Sequence, residues 1–310
     1  RRKRFSGERY CRYYGISKQA RYKRKAALEA KISFEKTVLL RVMEMRCIQP
    51  RVGVRKLQRM MENPEYGLPV EISRDKLFKL LSDNDLLVKR KKRYHQTTNS
   101  KHSLPSYPNL IKDLEVSKVN QVWVSDITYV KLPNGKFCYL FLVTDYFSRK
   151  IIGYALKSTL STDGALEVLK MAVRNAKPSA GFIHHSDHGV QYCNKAYTAL
   201  LQKHQAQISM TGANHCYDNA VAERVNGILK QEFGLGATLA SFEAANKLSR
   251  QAILLYNTVR LHTSHGYHTP EAVFRGLVLP EFHRVRRVKQ TDRYSSQNQQ
   301  GETDAPCRAI

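Results

Sequence analysis

The order of predicted strands and helices over residues 121–232 constrains the fold more than any other feature of the sequence. Alternating or continuous apolar runs predict strands, and apolar residues at helical spacing predict helices between the later strands. The strands are predicted at 121–132, 137–147, 150–158, 181–187 and 206–211, with an Asn-Gly turn at 133–136 between the first two. Helices are predicted at 161–176 and 194–204 and from about residue 219. This order predicts an α/β domain with a mixed five-stranded sheet flanked by helices.

Positive charge is concentrated in the first third of the chain. The 310 residues include 52 Lys and Arg against 26 Asp and Glu, a net charge of +26. Residues 1–104 contain 28 basic and 10 acidic side chains, whereas residues 118–235 contain 13 and 8. A localised excess of this kind attracts polyanions, and nucleic acid is the usual polyanion in a cell. We therefore expect DNA-binding modules ahead of a catalytic or assembly domain.

Two all-α segments precede the predicted sheet. Residues 11–27 are typical of a helix, a tight turn at Gly15 and a second helix with Arg21 and Arg24 among its cations. A helix-turn-helix that binds DNA and a disordered basic arm explain this segment equally well. Residues 50–93 predict another helical pair, which ends in five consecutive cations that we expect to follow a phosphate backbone. These cations are Lys89, Arg90, Lys91, Lys92 and Arg93.

The composition shifts along the chain predict five segments. In order, these are a basic helix-turn-helix-like segment (1–30), a second helical DNA-binding domain (31–104), a linker (105–117), the α/β core (118–276) and a disordered tail, basic then polar (277–310). The six cysteines are far apart and form no Cys-x-x-Cys pair, so a disulfide framework or zinc ribbon is not expected. No apolar run reaches membrane-spanning length and no signal peptide is visible, which favours the cytoplasm.

Three acidic residues are candidates for a metal site. Asp126 lies inside an otherwise apolar strand pattern, where a carboxylate is unfavourable unless it is paired, binds a metal or is bonded to Thr128 or a nearby amide. Asp187 ends a predicted strand, where ligands gather in α/β sheets, or it caps the following turn. Glu223 lies on the next helix and taken alone is a typical surface residue. Together the three could hold a pair of Mg²⁺ ions against a phosphate.

The histidines around Asp187 suggest a zinc site at first sight. His184, His185 and His188 are close in sequence. However, His184 and His185 are neighbours on a predicted strand and point to opposite faces, so they cannot readily share one ion. We therefore favour supporting or DNA-contacting roles for them over zinc binding.

Four sequence blocks resemble, in order, those of the insertion-sequence-three transposases. The blocks are WVSDITYV, HHSDHGVQY, CYDNAVAERVNGILKQE and YNTVRLHTSHGYHTPEAVF. This orfB-type group belongs to the retroviral integrase superfamily, and the 35 residues between Asp187 and Glu223 match the interval of its Asp-Asp-Glu triad. The resemblance implies a ribonuclease-H-like core in which Asp126, Asp187 and Glu223 are catalytic. It also implies that they bind two Mg²⁺ ions, for which Mn²⁺ can substitute.

The same resemblance implies an activity and partners. The protein would bind terminal inverted repeats, nick one strand and transfer its 3′-hydroxyl, by a copy-out, paste-in route. Its partners would be double-stranded DNA of transposon ends and target, further copies of the chain and an upstream-frame product, at the nucleoid of a bacterial cytoplasm and without a membrane. Lys230 would touch transposon-end DNA. Arg260 and His262 match another family block, in which Arg260 either binds phosphate or anchors a loop.

Two other functions fit the same residues. A regulator of its own element would bind DNA without cleaving it, although such a protein has no need of three intact carboxylates. Another nuclease of ribonuclease-H fold would hydrolyse DNA without strand transfer. A start at Arg1 without the upstream leucine zipper is expected of a downstream segment of a longer product.

Overall fold

The computed structural model describes residues 7–88, 106–212 and 219–278. Its helices are α1 (Gly7–Tyr13), α2 (Lys18–Ile48), α3 (Val54–Glu62), α4 (Arg74–Asp83), α5 (Thr162–Ala176), α6 (Val190–Cys193), α7 (Lys195–Lys203), α8 (Ala220–Glu232), α9 (Phe242–Thr258) and α10 (Pro270–Phe274). Its strands are β1 (Val122–Lys131), β2 (Phe137–Asp145), β3 (Ile151–Lys157), β4 (Ile183–Ser186) and β5 (Gln207–Met210). The predicted cation run Lys89, Arg90, Lys91, Lys92 and Arg93 lies outside the described residues, as does the predicted tail from residue 279 onwards.

The first two helices form the predicted helix, turn and helix. Gly15 has a φ of +62°, and the Ser17 side chain caps α2 by accepting from the amide of Ala20 at 3.0 Å. Helix α2 then continues to Ile48, because its 31 residues include neither Gly nor Pro. The segment boundary predicted between residues 30 and 31 therefore falls inside one helix. Neither α2 nor any other helix in the described ranges is long and apolar enough to cross a bilayer.

A small helical core forms where the carboxyl half of α2 packs against α3 and α4. Its fully buried members are Val38, Val42, Met45, Val52, Leu57, Met60, Met61, Leu77 and Leu81. Leu57, Met60 and Met61 form the buried face of α3, and Leu77 and Leu81 form that of α4. Leu261, which follows α9 in the α/β part, joins the same cluster. The helical region and the α/β part are therefore in direct contact.

The α/β part is built on the predicted mixed sheet of five strands. The strand order is β3-β2-β1-β4-β5. β1, β2 and β3 pair antiparallel, whereas β4 is parallel to both β1 and β5. The turn between β1 and β2 has positive φ at both Asn134 and Gly135, as the Asn-Gly signal predicts.

Helices cover both faces of the sheet. Because side chains alternate along a strand, the two faces of β2 are buried in different clusters. Phe141 and Val143 pack beneath α5, α6 and α7, while Leu140 and Leu142 pack beneath α8 and α9. β3 and α5 approach closely at Gly153, where an added Cβ would lie 2.4 Å from a backbone oxygen of α5.

The segment predicted as a linker is attached to the sheet where the structure describes it. The carbonyl of Pro108 accepts from the amide of Met210 at 3.3 Å, and the amide of Leu110 donates to the Ser209 hydroxyl at 2.9 Å. Tyr107 packs against the core cluster beneath α5. Residues 107–110 therefore pack along β5 as part of the α/β region.

Candidate active site

Asp126 and Asp187 are brought together by the parallel pairing of β1 and β4. Val122 is paired with Ile183 and Val124 with His185. Two residues further along, on the same face of the sheet, this register places Asp126 of β1 beside Asp187, which directly follows β4. Neighbouring strands lie roughly 4.8 Å apart. The charge of Asp187 acts on Asp126 and raises the pKa of its carboxyl, which agrees with this proximity.

The Asp126 carboxylate is buried among like charges. Its side chain accepts from the amide of Ile127 at 2.9 Å and from the Nδ2 of Asn226 at 2.7 Å. Burial raises its pKa to about 7, and the charge of Asp187 and, more weakly, that of Glu223 add to this effect. The two hydrogen bonds act in the opposite direction and do not outweigh the burial. A divalent cation at this position would favour the ionised form.

Helix α8 is fixed against β1 by two asparagines. Asn219 donates from Nδ2 to the carbonyl of Ser125 at 3.2 Å, and Asn226 bonds to Asp126 one residue further along the strand. Glu223 precedes Asn226 by three residues, so the two side chains lie on neighbouring positions of the helix surface. Glu223 itself is exposed, and its partial burial raises the pKa of its carboxyl. The amino-terminal half of α8 thus lies over the two aspartates.

The three carboxylates do not form a closed metal cage. Among the residues that the structure describes, no three His, Cys, Asp or Glu side chains converge in the arrangement of a metal site. The structure therefore brings Asp126 and Asp187 side by side and sets Glu223 on the helix above them, without joining all three.

The local roles considered for the two aspartates are also present. The amide of Ile127 is the neighbouring donor expected for a bonded Asp126. The amide of Gly189 donates to Oδ1 of Asp187 at 3.0 Å, as expected for a capping residue in the Asp-His-Gly turn. Each of these bonds occupies one carboxylate oxygen, so they orient the aspartates and are compatible with a metal-binding role.

The histidines next to Asp187 point in different directions, as predicted. His184 Nε2 lies 2.7 Å from the Ser125 hydroxyl and 2.9 Å from that of Tyr197. His185 is on the other face, where its Nδ1 lies 2.8 Å from the Ser209 hydroxyl. Burial lowers the pKa of His184 to about 3, so its ring is neutral. Both rings are buried and connect β4 to its neighbouring strands, which leaves neither on a surface that DNA could reach.

The side chains predicted to contact DNA differ in exposure. Arg21 and Arg24 are exposed on α2, and Lys230 is half-buried on α8. Burial lowers the pKa of Lys230, while the charge of Asp126 acts in the opposite direction, which agrees with a position on the same side of α8 as Glu223.

Arg260 and His262 lie inside the protein instead of on its surface. Arg260 is 3% exposed, and its Nε and Nη2 donate to the two carboxylate oxygens of Glu232 at 2.8 and 2.7 Å. His262 is 7% exposed, with its ring centroid 5.1 Å from that of Tyr256. A phosphate contact by Arg260 does not fit this arrangement, because the guanidinium is buried and its Nε and Nη2 already donate to the Glu232 carboxylate. The structure has the loop anchor that was the alternative.

Two residues of α8 were not assigned a role from the sequence. Asn226 could have been suspected, since it lies about one helical turn from Glu223 on an adjacent surface of the helix. Glu232 gave no such signal, because its partner Arg260 is 28 residues away and approaches it only in the folded chain.

Comparison with known proteins agrees with this architecture. Two family models described as "Integrase core domain" match residues 116–216 and 204–270. The chain is 34% identical over 267 residues to the insertion element IS600 uncharacterized 31 kDa protein of Shigella sonnei, covering 84% of this chain and 96% of that protein. It is 30% identical over 223 residues to the transposase for insertion sequence element IS904 of Lactococcus lactis, covering 71% and 86%.

A third relative is a transposase of the insertion sequence IS3A. Over 188 residues the chain is 34% identical to transposase InsF for insertion sequence IS3A of Escherichia coli, covering 60% of this chain and 65% of that protein. The chain belongs to the insertion-sequence-three transposase family. This IS3-type transposase is therefore an enzyme of the DDE transposase and integrase class, and its integrase core contains the mixed five-stranded sheet predicted from the sequence.

Proposed function

We propose that this IS3-type transposase binds the terminal inverted repeats of its element and catalyses Mg²⁺-dependent strand nicking and strand transfer at Asp126, Asp187 and Glu223. The observation that supports this most is the environment of Asp126. Its carboxylate is buried beside Asp187 under α8, and its pKa is raised to about 7 by burial and by the neighbouring negative charges. Such a carboxylate is unfavourable in isolation and becomes favourable when it binds a cation.

The donor set fits magnesium. Mg²⁺ prefers oxygen ligands and is usually held by one or two carboxylates together with a phosphate, and Mn²⁺ accepts the same ligands. Two such ions would activate the attacking water or 3′-hydroxyl and neutralise charge on the leaving oxygen. In this proposal Asp126 and Asp187 bind from the sheet and Glu223 from α8. Asn226 orients Asp126 through its hydrogen bond of 2.7 Å.

The DNA partners in this proposal are the transposon ends and the target. Lys230 lies on α8 near Asp126, where a cation is suited to the phosphates next to the scissile bond. The net charge of +26 predicts binding that weakens steeply as the salt concentration rises. We further propose that several copies of the chain act together on DNA, by a copy-out, paste-in route and with an upstream-frame product as partner.

The test combines purified protein, end-sequence DNA with its flanks and Mg²⁺. Asp126→Asn and Glu223→Gln are expected to abolish nicking. Glu243→Gln is a matched control, because Glu243 also lies in the first turn of a helix and is fully exposed. Unchanged nicking by Asp126→Asn would remove the triad from the mechanism.

The products separate the transposase from the two other functions. Joined strands indicate strand transfer, whereas hydrolysis alone indicates a nuclease. Tight binding of the repeats without any metal-dependent cleavage would indicate a regulator that binds its own element.

A further inference from the structure

The amino-terminal tip of the molecule is an exposed structure with almost no core of its own. We define the tip as residues 8–25, which comprise most of α1, the turn and the first two turns of α2. Cys11 is the one residue of this range that is buried. In a helix-turn-helix, further helices support the helix that enters the groove. Here α1 contacts α2, and every residue of the tip except Cys11 is exposed or half-buried, so little packing supports the pair.

Four tyrosines are exposed on the tip. Tyr10, Tyr13, Tyr14 and Tyr22 are 45%, 83%, 59% and 68% exposed. Three of them form a cluster, with ring centroids 4.6 Å apart between Tyr10 and Tyr14 and 5.0 Å apart between Tyr13 and Tyr14. Single exposed aromatic residues are normal, but rings clustered on a surface form an apolar patch, and this cluster indicates a ligand with flat apolar surfaces.

Positive charge surrounds the tyrosines. The exposed cations of the tip are Arg9, Arg12, Lys18, Arg21, Lys23, Arg24 and Lys25. Arg21 lies over the ring of Tyr10, 5.4 Å from its centroid. Glu8 is the one acidic residue of the tip, and it is paired with Lys18. A second copy of the chain would bring the same charges, so repulsion disfavours it as the occupant, whereas a polyanion is attracted.

The combination of ring faces and cations selects one kind of polyanion. In duplex DNA the faces of the bases are stacked on one another and are not accessible to a tyrosine. In an unpaired strand each base can stack on an aromatic ring while Lys and Arg follow the backbone. We propose that the tip binds unpaired DNA strands by stacking bases on Tyr13, Tyr14 and Tyr22. The inference rests on the proposed function for the identity of its ligand as DNA, and it deepens that function by naming the form of the DNA.

The test measures binding of the full chain to a labelled oligothymidine strand and to a duplex of equal length. Both titrations are made without divalent metal, so that cleavage does not enter. Tyr13→Ala combined with Tyr14→Ala is expected to weaken single-strand binding on the order of ten-fold or more, since each stacked base contributes substantially. Duplex binding is expected to change by less than about two-fold, because it depends on phosphate contacts. Tyr13→Phe with Tyr14→Phe keeps the rings and is expected to restore single-strand binding.

Phe78→Ala is the matched control, because Phe78 is 53% exposed and lies on α4, outside the tip. Equal loss of single-strand and duplex binding in the alanine variant would show a purely electrostatic surface and overturn the proposal. A loss of self-association with unchanged single-strand binding would also overturn it. Asp126→Asn protein should bind the strand like wild type, so failure of the catalytic proposal and failure of this one are distinguishable.

Discussion

Glu223 and Glu232 lie nine residues apart on α8, and the pKa values of their carboxyl groups are shifted in opposite directions. Partial burial raises the pKa of Glu223. Burial would also raise that of Glu232, but its bonds to Arg260 and the charges of Arg260 and Lys56 outweigh the burial and lower it. The amino end of the helix therefore has one carboxylate, Glu223, that a cation would stabilise together with Asp126 of the sheet. At the carboxyl end the protein itself supplies the cations, which are Arg260 and Lys56.

The carboxyl end of α8 also connects different parts of the chain. Glu232 binds Arg260 from the segment after α9, and it accepts from Gln49 Nε2 of the helical region at 3.0 Å. Lys56 of α3 lies 3.7 Å from the same carboxylate. The two ends of α8 are thus stabilised by different interactions. The end that is paired with Arg260 and Lys56 should govern stability, and the end beside Asp126 and Asp187 should govern activity, a division that substitutions can test.

Substitution of Asp126 by Asn should have the largest effect, and on activity alone. Loss of a metal ligand forfeits several kcal/mol of transition-state stabilisation, and each 1.4 kcal/mol is ten-fold in rate, so we expect a fall of at least about a hundred-fold. The free energy of unfolding should stay equal or rise without metal, because a buried carboxylate is removed. Strand-nicking assays and urea denaturation of the same protein measure both. A variant that unfolds at lower urea would contradict the division.

Substitution of Arg260 by Met should have the opposite effect and lower stability more than activity. It leaves Glu232 with a weaker partner in a half-buried position, and because breaking a buried pair costs about 3–5 kcal/mol, we expect a loss of stability up to that range. Urea denaturation provides the measurement. Arg275→Met removes an ion pair from an exposed side chain, 66% accessible, and should cost less than about 1 kcal/mol. Equal losses in the two variants would mean that Glu232 has no special role in holding α8.

Substitution of Asn226 by Ala should lower activity by a smaller amount than loss of a carboxylate. Groups that orient metal ligands contribute about 10–100-fold. Because Asn226 acts through Asp126, the variant should also need a higher Mg²⁺ concentration for half-maximal nicking. Asn226→Gln tests whether a displaced amide can compensate. Normal Mg²⁺ dependence in the alanine variant would show that this hydrogen bond has a purely structural role.

Substitution of Lys56 by Met should change the pH dependence of stability, the smallest effect of the four. Burial lowers the pKa of Lys56 to about 8, and the charge of Arg260 acts in the same direction. Between pH 8 and the ordinary value of 10.5 the unfolded chain binds more protons than the folded one, so wild-type stability rises with pH in that window.

The contribution of this lysine to the pH dependence is at most about 1.4 kcal/mol per pH unit, and it vanishes below about pH 8. The methionine variant should lack this contribution to the pH dependence. At pH 7 it should be at least as stable as wild type, because Arg260 still pairs with Glu232. Denaturation curves at several pH values measure the difference. A clear loss at pH 7 would mean that the amine stabilises the folded state after all.

The sheet could be predicted from the sequence because its signals are local. Alternating apolar residues, the Asn-Gly turn and an acidic residue in an apolar strand were sufficient to anticipate β1, β2 and the position of Asp126. The pairing of Glu232 with Arg260 depends instead on how α8 and the segment after α9 approach each other, which no local pattern encodes. For the same reason Arg260 had two candidate roles until its burial was known. The extent of α2 was underestimated, since a change in charge along a chain does not end a helix.

Helix α2 also fixes a distance. Lys18 and Val38, the first fully buried residue of this helix, are separated by roughly 30 Å at the usual rise per residue. This exposed stretch of the helix is stabilised by the ion pairs Lys25–Glu29 and Lys31–Glu35. The length of this helix sets the distance between a DNA strand bound by the tyrosines and the rest of the molecule. Deleting two turns would shorten that reach by about 11 Å while keeping the rings at nearly the same angle around the axis.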